Sequence, residues 1–129
     1  MVILKKKILV VDDEPHIVNL IKLTLEKEFE VIEAYTSRNA LSLLKKHKPS
    51  LILLDIMMPG EDGYQLCERI RQGKKNKDTP IVFLSAKNQI EDKMKSIDVG
   101  GDDFIEKPFD PLELEKKVKT NLIMSKISE

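Results

Sequence analysis

Five side chains able to bind or transfer charge stand at the ends of short apolar runs. Asp12 and Asp13 follow Ile8-Leu9-Val10-Val11, and Asp55 follows Leu51-Ile52-Leu53-Leu54. Ser85 comes directly after Ile81-Val82-Phe83-Leu84, and Lys107 lies two residues beyond Phe104-Ile105. Each has an ordinary use on its own: the acids cap turns, the serine shapes a loop, the lysine solvates a surface. All five at one edge of a sheet would be a rare accident. Three crowded carboxylates repel, so they need a cation or raised pKa values to coexist. All-oxygen ligation without His or Cys suits a hard ion, magnesium above all. Such an ion and a lysine together draw the oxygens of a phosphoryl group. A carboxylate beside them can attack phosphorus and become an acyl phosphate.

The elements that must hold these groups follow from the pattern. Four apolar residues in a row, too few to cross a membrane, read as a strand buried on both faces. Pro15 suits the first position of a helix whose apolar face is Ile17, Leu20, Ile21, Thr24 and Leu25. The second strand, around Glu30 to Ala34, alternates and carries acids, as an edge strand does. Ser37 is the expected N-cap of a helix bearing Ala40, Leu41 and Leu44. After the Asp55 strand, Pro59-Gly60 breaks the chain, and Asp62 or Gly63 opens a helix through Leu66, Cys67 and Ile70. Ile90, Met94 and Ile97 mark the next helix, closed by Gly100-Gly101. Asp110 and Pro111 start the last, which carries Leu114, Val118 and Leu122.

Strict alternation of short strands and amphipathic helices requires right-handed crossovers and a parallel sheet covered on both faces. The expected fold is α/β: one doubly wound, five-stranded parallel sheet, flavodoxin-like (βα)5, strand order 2-1-3-4-5, over residues 1–129 as a single domain. In that order the first and third strands meet at the topological switch point, outside whose carboxyl ends ligands bind.

Composition narrows the class further. Lys+Arg 22 against Asp+Glu 22 offers no whole-domain attraction to nucleic acid or anionic lipid. With 34% charged and 41% hydrophobic residues the chain reads as a soluble globular domain. Neither direct nucleic-acid binding nor membrane insertion is expected. The single cysteine, Cys67, forms no intramolecular disulfide and reads as a small buried hydrophobe. The amino terminus has no signal-peptide core, so a cytoplasmic setting is expected. Gln72 to Asp78 is the one clear basic loop and, lacking aromatics, reads as a solvated turn.

Four segments in order carry a specific resemblance. Val10-Val11-Asp12-Asp13-Glu14-Pro15, Leu53-Leu54-Asp55-Ile56-Met57-Met58-Pro59-Gly60, Leu84-Ser85-Ala86-Lys87 and Gly101-Asp102-Asp103-Phe104-Ile105-Glu106-Lys107-Pro108-Phe109 closely resemble the receiver domain of two-component response regulators. The resemblance implies that Asp55 accepts a phosphoryl group from a sensor histidine kinase or phosphotransfer protein. It implies that Asp13, Asp55 and the backbone carbonyl of Met57 bind Mg2+, with Asp12 acting mostly through water. Lys107 would pair with one phosphoryl oxygen and the Ser85 hydroxyl would turn to another. Phe104 matches the aromatic that swings inward when that hydroxyl moves, and Lys107-Pro108 a bond that is often cis. Met57 and Lys87 match positions that influence dephosphorylation rate. The switch pair departs from the commoner threonine and tyrosine, and neither departure removes a needed group.

The resemblance leans toward regulators that dimerise through the fourth helix, fifth strand and fifth helix. Lys117 stands where those usually carry arginine, and lysine cannot form the bidentate pair. A homodimer on phosphorylation, with charges around Lys93, Asp103 and Lys117, remains an expectation, and the output partner stays unnamed. After the last helix only Ile123 to Glu129 follows, so the chain is a free-standing receiver or one cut from a longer regulator. Two other classes compete. A magnesium-dependent phosphohydrolase of the haloacid-dehalogenase type would need an Asp-x-Asp pair on the first strand and a cap insertion, both missing here. A phosphate-independent interaction module would have no use for all five site residues.

Overall fold

Strands form where apolar residues run without interruption, and the helices beginning at Pro15, Ser37, Gly63 and Pro111 start where a cap or a proline resolves orphan N–H groups. The structure, a computed structural model, describes residues 4–86 and 90–127. In chain order the elements are β1 (Lys6–Val11), α1 (Pro15–Leu25), β2 (Phe29–Ala34), α2 (Ser37–Lys46), β3 (Leu51–Asp55), α3 (Gly63–Gln72), β4 (Ile81–Ala86), α4 (Ile90–Asp98), β5 (Asp103–Lys107) and α5 (Pro111–Ile127). The strands are parallel in the order β2-β1-β3-β4-β5, as the sequence pattern predicts. The acid-bearing β2 is indeed at an edge.

Side chains alternate across each strand, so the sheet divides two cores. On one face Leu9, Val11, Ile52, Leu54, Ile81 and Phe83 meet Ala40 and Leu44 of α2 and Leu66, Cys67 and Ile70 of α3. On the other Ile8, Val10, Leu51, Leu53, Val82 and Leu84 meet Val18, Ile21 and Leu25 of α1 and Leu114, Val118 and Leu122 of α5. Cys67 is fully buried, and burial pushes its thiol up to about 11, far from a reactive thiolate.

Three local expectations change. The N-cap of α2 is Thr36, whose hydroxyl accepts the Asn39 N–H at 3.0 Å; Ser37 is the first helical residue. Adjacent hydroxyl residues suit the same role, and the extended backbone at Thr36 decides it. In α1 the buried stripe is Val18, Ile21 and Leu25, while Leu20 is exposed. In α4, Met94 and Ile97 are 67% and 73% exposed, and Ser96 is the residue turned inward. Just after α4 the chain passes close to the sheet at Gly101, where a Cβ would sit 2.5 Å from the Phe83 ring and 2.8 Å from the Ser96 carbonyl oxygen. The side chains of Ile90 and Lys93, and all of Lys87, lie outside the described residues.

Candidate functional site

The carboxyl edge of the sheet gathers the charged groups. Asp12 is the first residue past β1, and its N–H is held by the Ala34 carbonyl of β2 at 3.1 Å. Asp55 ends β3 and Lys107 ends β5. Pairing of β1 with β3 places Val11 opposite Leu54, and so brings Asp12 and Asp55 side by side.

The turn after Asp55 is pinned on two sides. The Ile56 N–H donates to Leu84 O at 3.1 Å, and the Gly63 N–H to Ile56 O at 2.9 Å. Gly63 is there because nothing larger fits: a Cβ would sit 2.2 Å from the Asp55 carbonyl oxygen and 2.8 Å from the Ile56 Cα. Asp62 caps α3 by accepting the Gln65 N–H while Gln65 accepts the Asp62 N–H, a reciprocal pair that fixes where Gly63 begins the helix.

One oxygen each from Asp12, Asp13, Glu14 and Asp55 lies within 4.8 Å of the others. Lys107 Nζ lies 2.9 Å from Asp12 Oδ2, 3.2 Å from Asp55 Oδ1 and 3.5 Å from Glu14 Oε1. Asp12 is fully buried and its second oxygen accepts the Glu14 N–H at 3.0 Å, so each of its oxygens has a partner. Asp55 is 3% exposed. Burial and then the Asp12 charge push its carboxyl up to about 7, against the pull of Lys107. Burial alone would depress Lys107, but the Asp12 and Asp55 carboxylates outweigh it and hold the ammonium above its ordinary value. The lysine is shared: it stays charged, yet it cannot neutralise every acid around it.

A cavity of about 370 Å³ opens beside these groups, lined by Glu14, Ile17, Asp55, Met57, Ala86, Lys107 and Pro108. The Met57 side chain projects to solvent over it, 73% exposed. Ser85 is 2% exposed in β4, opposite Glu106 in the register with β5 and one residue before Ala86. Phe104 is 8% exposed and packs in the core on the α2–α3 face. The Lys107-Pro108 peptide is cis.

Sequence reasoning singled out Asp12, Asp13, Asp55, Ser85 and Lys107; the fold brings the three acids and the lysine together, while Ser85 is buried in β4 one residue before Ala86 of the cavity wall. That reasoning passed over Glu14 and Gly63. Glu14 was visible as the third acid in a row. Gly63 gave no signal, since only the turn-back of α3 onto the Asp55 backbone demands it. The cluster offers carboxylate oxygens only, which is the donor set a hard divalent cation takes. Among the described residues no helix is long and apolar enough to cross a membrane.

Comparison with known proteins meets the same geometry. The sequence profile of the response regulator receiver domain matches residues 8–119. The response regulator GtcR of Aneurinibacillus migulanus is 43% identical over 120 residues, covering 92% of this chain and 48% of that protein. The chain thus spans about half the length of that curated relative. The chemotaxis protein CheY4 of Vibrio cholerae superposes with a TM-score of 0.87 at 30% identity, covering 91% of this chain and 98% of that one. NtrX of Brucella abortus superposes with a TM-score of 0.90 at 34% identity, covering 97% of this chain and 28% of that one. Sequence, fold and acidic edge agree, and the chain belongs to the response regulator receiver domain family.

Proposed function

We propose that this receiver domain is a phosphorylation-activated switch that takes a phosphoryl group onto Asp55 from the histidine of a sensor kinase or phosphotransfer protein. The observation that carries the reading is Lys107 Nζ shared between Asp12 and Asp55 at the mouth of an open cavity. An Oδ of Asp55 forms the new P–O bond as the donor's P–N bond breaks, and the electron pair leaves with the imidazole nitrogen. That oxygen must be charged to attack, and burial beside Asp12 works against this.

Asp13, Asp55 and the Met57 backbone carbonyl are the proposed Mg2+ ligands, with Asp12 acting through water. Glu14 stands close enough to join them. Bound Mg2+ would offset the carboxylate charge and polarise the phosphoryl oxygens. On transfer Lys107 turns from the two carboxylates to a phosphoryl oxygen, and Ser85 donates its hydroxyl to another. The domain catalyses only its own phosphorylation and dephosphorylation, in the cytoplasm, with residues 1–129 acting as one receiver unit.

The output surface is proposed to be α4–β5–α5, where Met94 and Ile97 leave apolar area exposed. Ser85 and Phe104 are the pair that relays the change. A homodimer across this face would compete with an internal pair, since Lys117 Nζ already lies 3.1 Å from Asp103 Oδ1. The test is incubation with acetyl phosphate, with and without Mg2+, read by intact mass. One phosphoryl group should add in the presence of Mg2+ and none should add to Asp55→Asn. Normal labelling of that variant would sink the assignment.

A further inference from the structure

The opposite edge of the sheet, where the strands begin, holds a charge cluster that phosphotransfer does not use. A cavity of about 490 Å³ is lined by Lys6 of β1, Lys48 before β3, Lys74 and Lys75 after α3, and Lys126 of α5. Among the described residues Asp78 is the one acid lining it. A chain with 22 basic and 22 acidic residues thus concentrates five lysines against one carboxylate in a single concavity.

Some lysines elsewhere pair with acids, as Lys22 with Glu33, Lys117 with Asp103 and Lys119 with Glu28. Among the described residues none of the five cavity lysines is paired with a carboxylate. Helix ends explain only part of the cluster. Lys75 Nζ caps α2 through the Leu44 carbonyl at 2.8 Å, and Lys48 donates to the Lys75 carbonyl. Lys126, in the last turn of α5, suits the carbonyl end of that helix. Among the described residues Lys6 caps no helix end. It stands on a strand against the Lys126 ammonium, which holds its own ammonium below the ordinary lysine range.

We propose that this concavity is a binding site for the phosphate chain of an oligophosphate, with Lys6 and Lys126 as its central contacts. Two adjacent ammonium groups repel, and an anion bridging them removes the repulsion. A single phosphate carries about −1.5 to −2 charges, less than the surplus of four left by five lysines and Asp78. A chain of linked phosphates matches it better. No aromatic ring lines the cavity, so a nucleobase would find nothing to stack on. The phosphate chain is recognised and the base is not.

The test uses inorganic tripolyphosphate and ATP as probes, in EDTA, at physiological ionic strength, followed by backbone amide shifts. Saturable shifts are expected at Ser50, Thr79 and the residues flanking Lys6 and Lys126, with the two probes agreeing within about threefold because only the chain is held. Lys6→Gln with Lys126→Gln should weaken tripolyphosphate at least ~10-fold, about 1.4 kcal/mol. The same variant should still be labelled by acetyl phosphate and Mg2+, which shows that it folds. Asp55→Asn should bind tripolyphosphate as the parent does. Shifts confined to the Asp55 edge, or affinity unchanged in the lysine variant, would overturn the site. ATP binding far tighter than tripolyphosphate would overturn recognition of the chain alone.

Discussion

Lys107 and Asp55 set the terms at the scale of single residues. Asp55 has its carboxyl raised from 3.8 to about 7 in the folded protein. The folded state therefore binds this proton more tightly than the unfolded chain does. Its contribution to stability is whole below about pH 4 and is lost as pH rises through about 7. In EDTA, Asp55→Asn removes that loss. Urea unfolding should show the variant more stable by roughly 2–4 kcal/mol at pH 8, with the gain fading toward pH 4. An equal gain at both pH values would count against a buried, raised carboxyl.

Lys107→Ala should keep the fold and Mg2+ affinity largely intact while uncoupling phosphorylation from the output face. Amide shifts around Phe104 would be compared between the phosphorylated parent and variant. Equal changes in both would remove Lys107 from the switch. Asp55 and Lys107 were legible in the sequence because each ends a recognisable strand. The crowding of Asp12 against Asp55 was legible from the strand order, but the desolvation that raises Asp55 most is set by packing in the folded protein.

At the scale of elements, the turn between β3 and α3 holds the acceptor in place. Gly63 lets the first turn of α3 close on the Asp55–Ile56 backbone, and the reciprocal Asp62–Gln65 cap fixes where that turn starts. Gly63→Ala would drive a Cβ into backbone atoms that cannot swing aside. Urea unfolding should show a loss of about 1–3 kcal/mol, as overpacking costs, and acetyl phosphate labelling should slow. A variant as stable and as quickly labelled as the parent would show that the turn relaxes freely.

The α4 helix teaches a related lesson. Its apolar periodicity at Met94 and Ile97 suggested a buried face, yet the fold leaves both exposed. Periodicity reports which residues share a face, but the neighbouring elements decide which way that face turns.

At the scale of the whole molecule, the two edges of the sheet carry opposite charge. Acids gather where the strands end and lysines where they begin. Phosphorylation adds charge at the acidic edge and is expected to be read along α4, β5 and α5. Asp103 ties β5 to α5 by accepting from Lys117 at 3.1 Å and from Asn121 at 2.8 Å. Hydrogen exchange with and without beryllofluoride should show altered protection from Ser85 to Val118. Unchanged protection there would rule the switch out. Sedimentation under the same conditions tests the dimer separately: a monomer at high concentration removes the dimer and leaves the switch standing.

The sequence by itself determined the alternation of elements and the parallel sheet, since apolar runs, caps and crossover handedness are legible along the chain, and the expected flavodoxin-like order is the one observed. It also named the acids and the lysine, because strand ends can be read from where apolar runs stop. Only the tertiary structure decided which further groups join or leave those charges. Glu14 joined the acids, Gly63 proved sterically required, Lys117 was taken up by Asp103, and five scattered lysines converged on one cavity. The physical reason is distance. Electrostatic and steric terms act between atoms a few ångströms apart, and Lys6 and Lys126 become neighbours only after the chain has wound β1 and α5 onto the same edge.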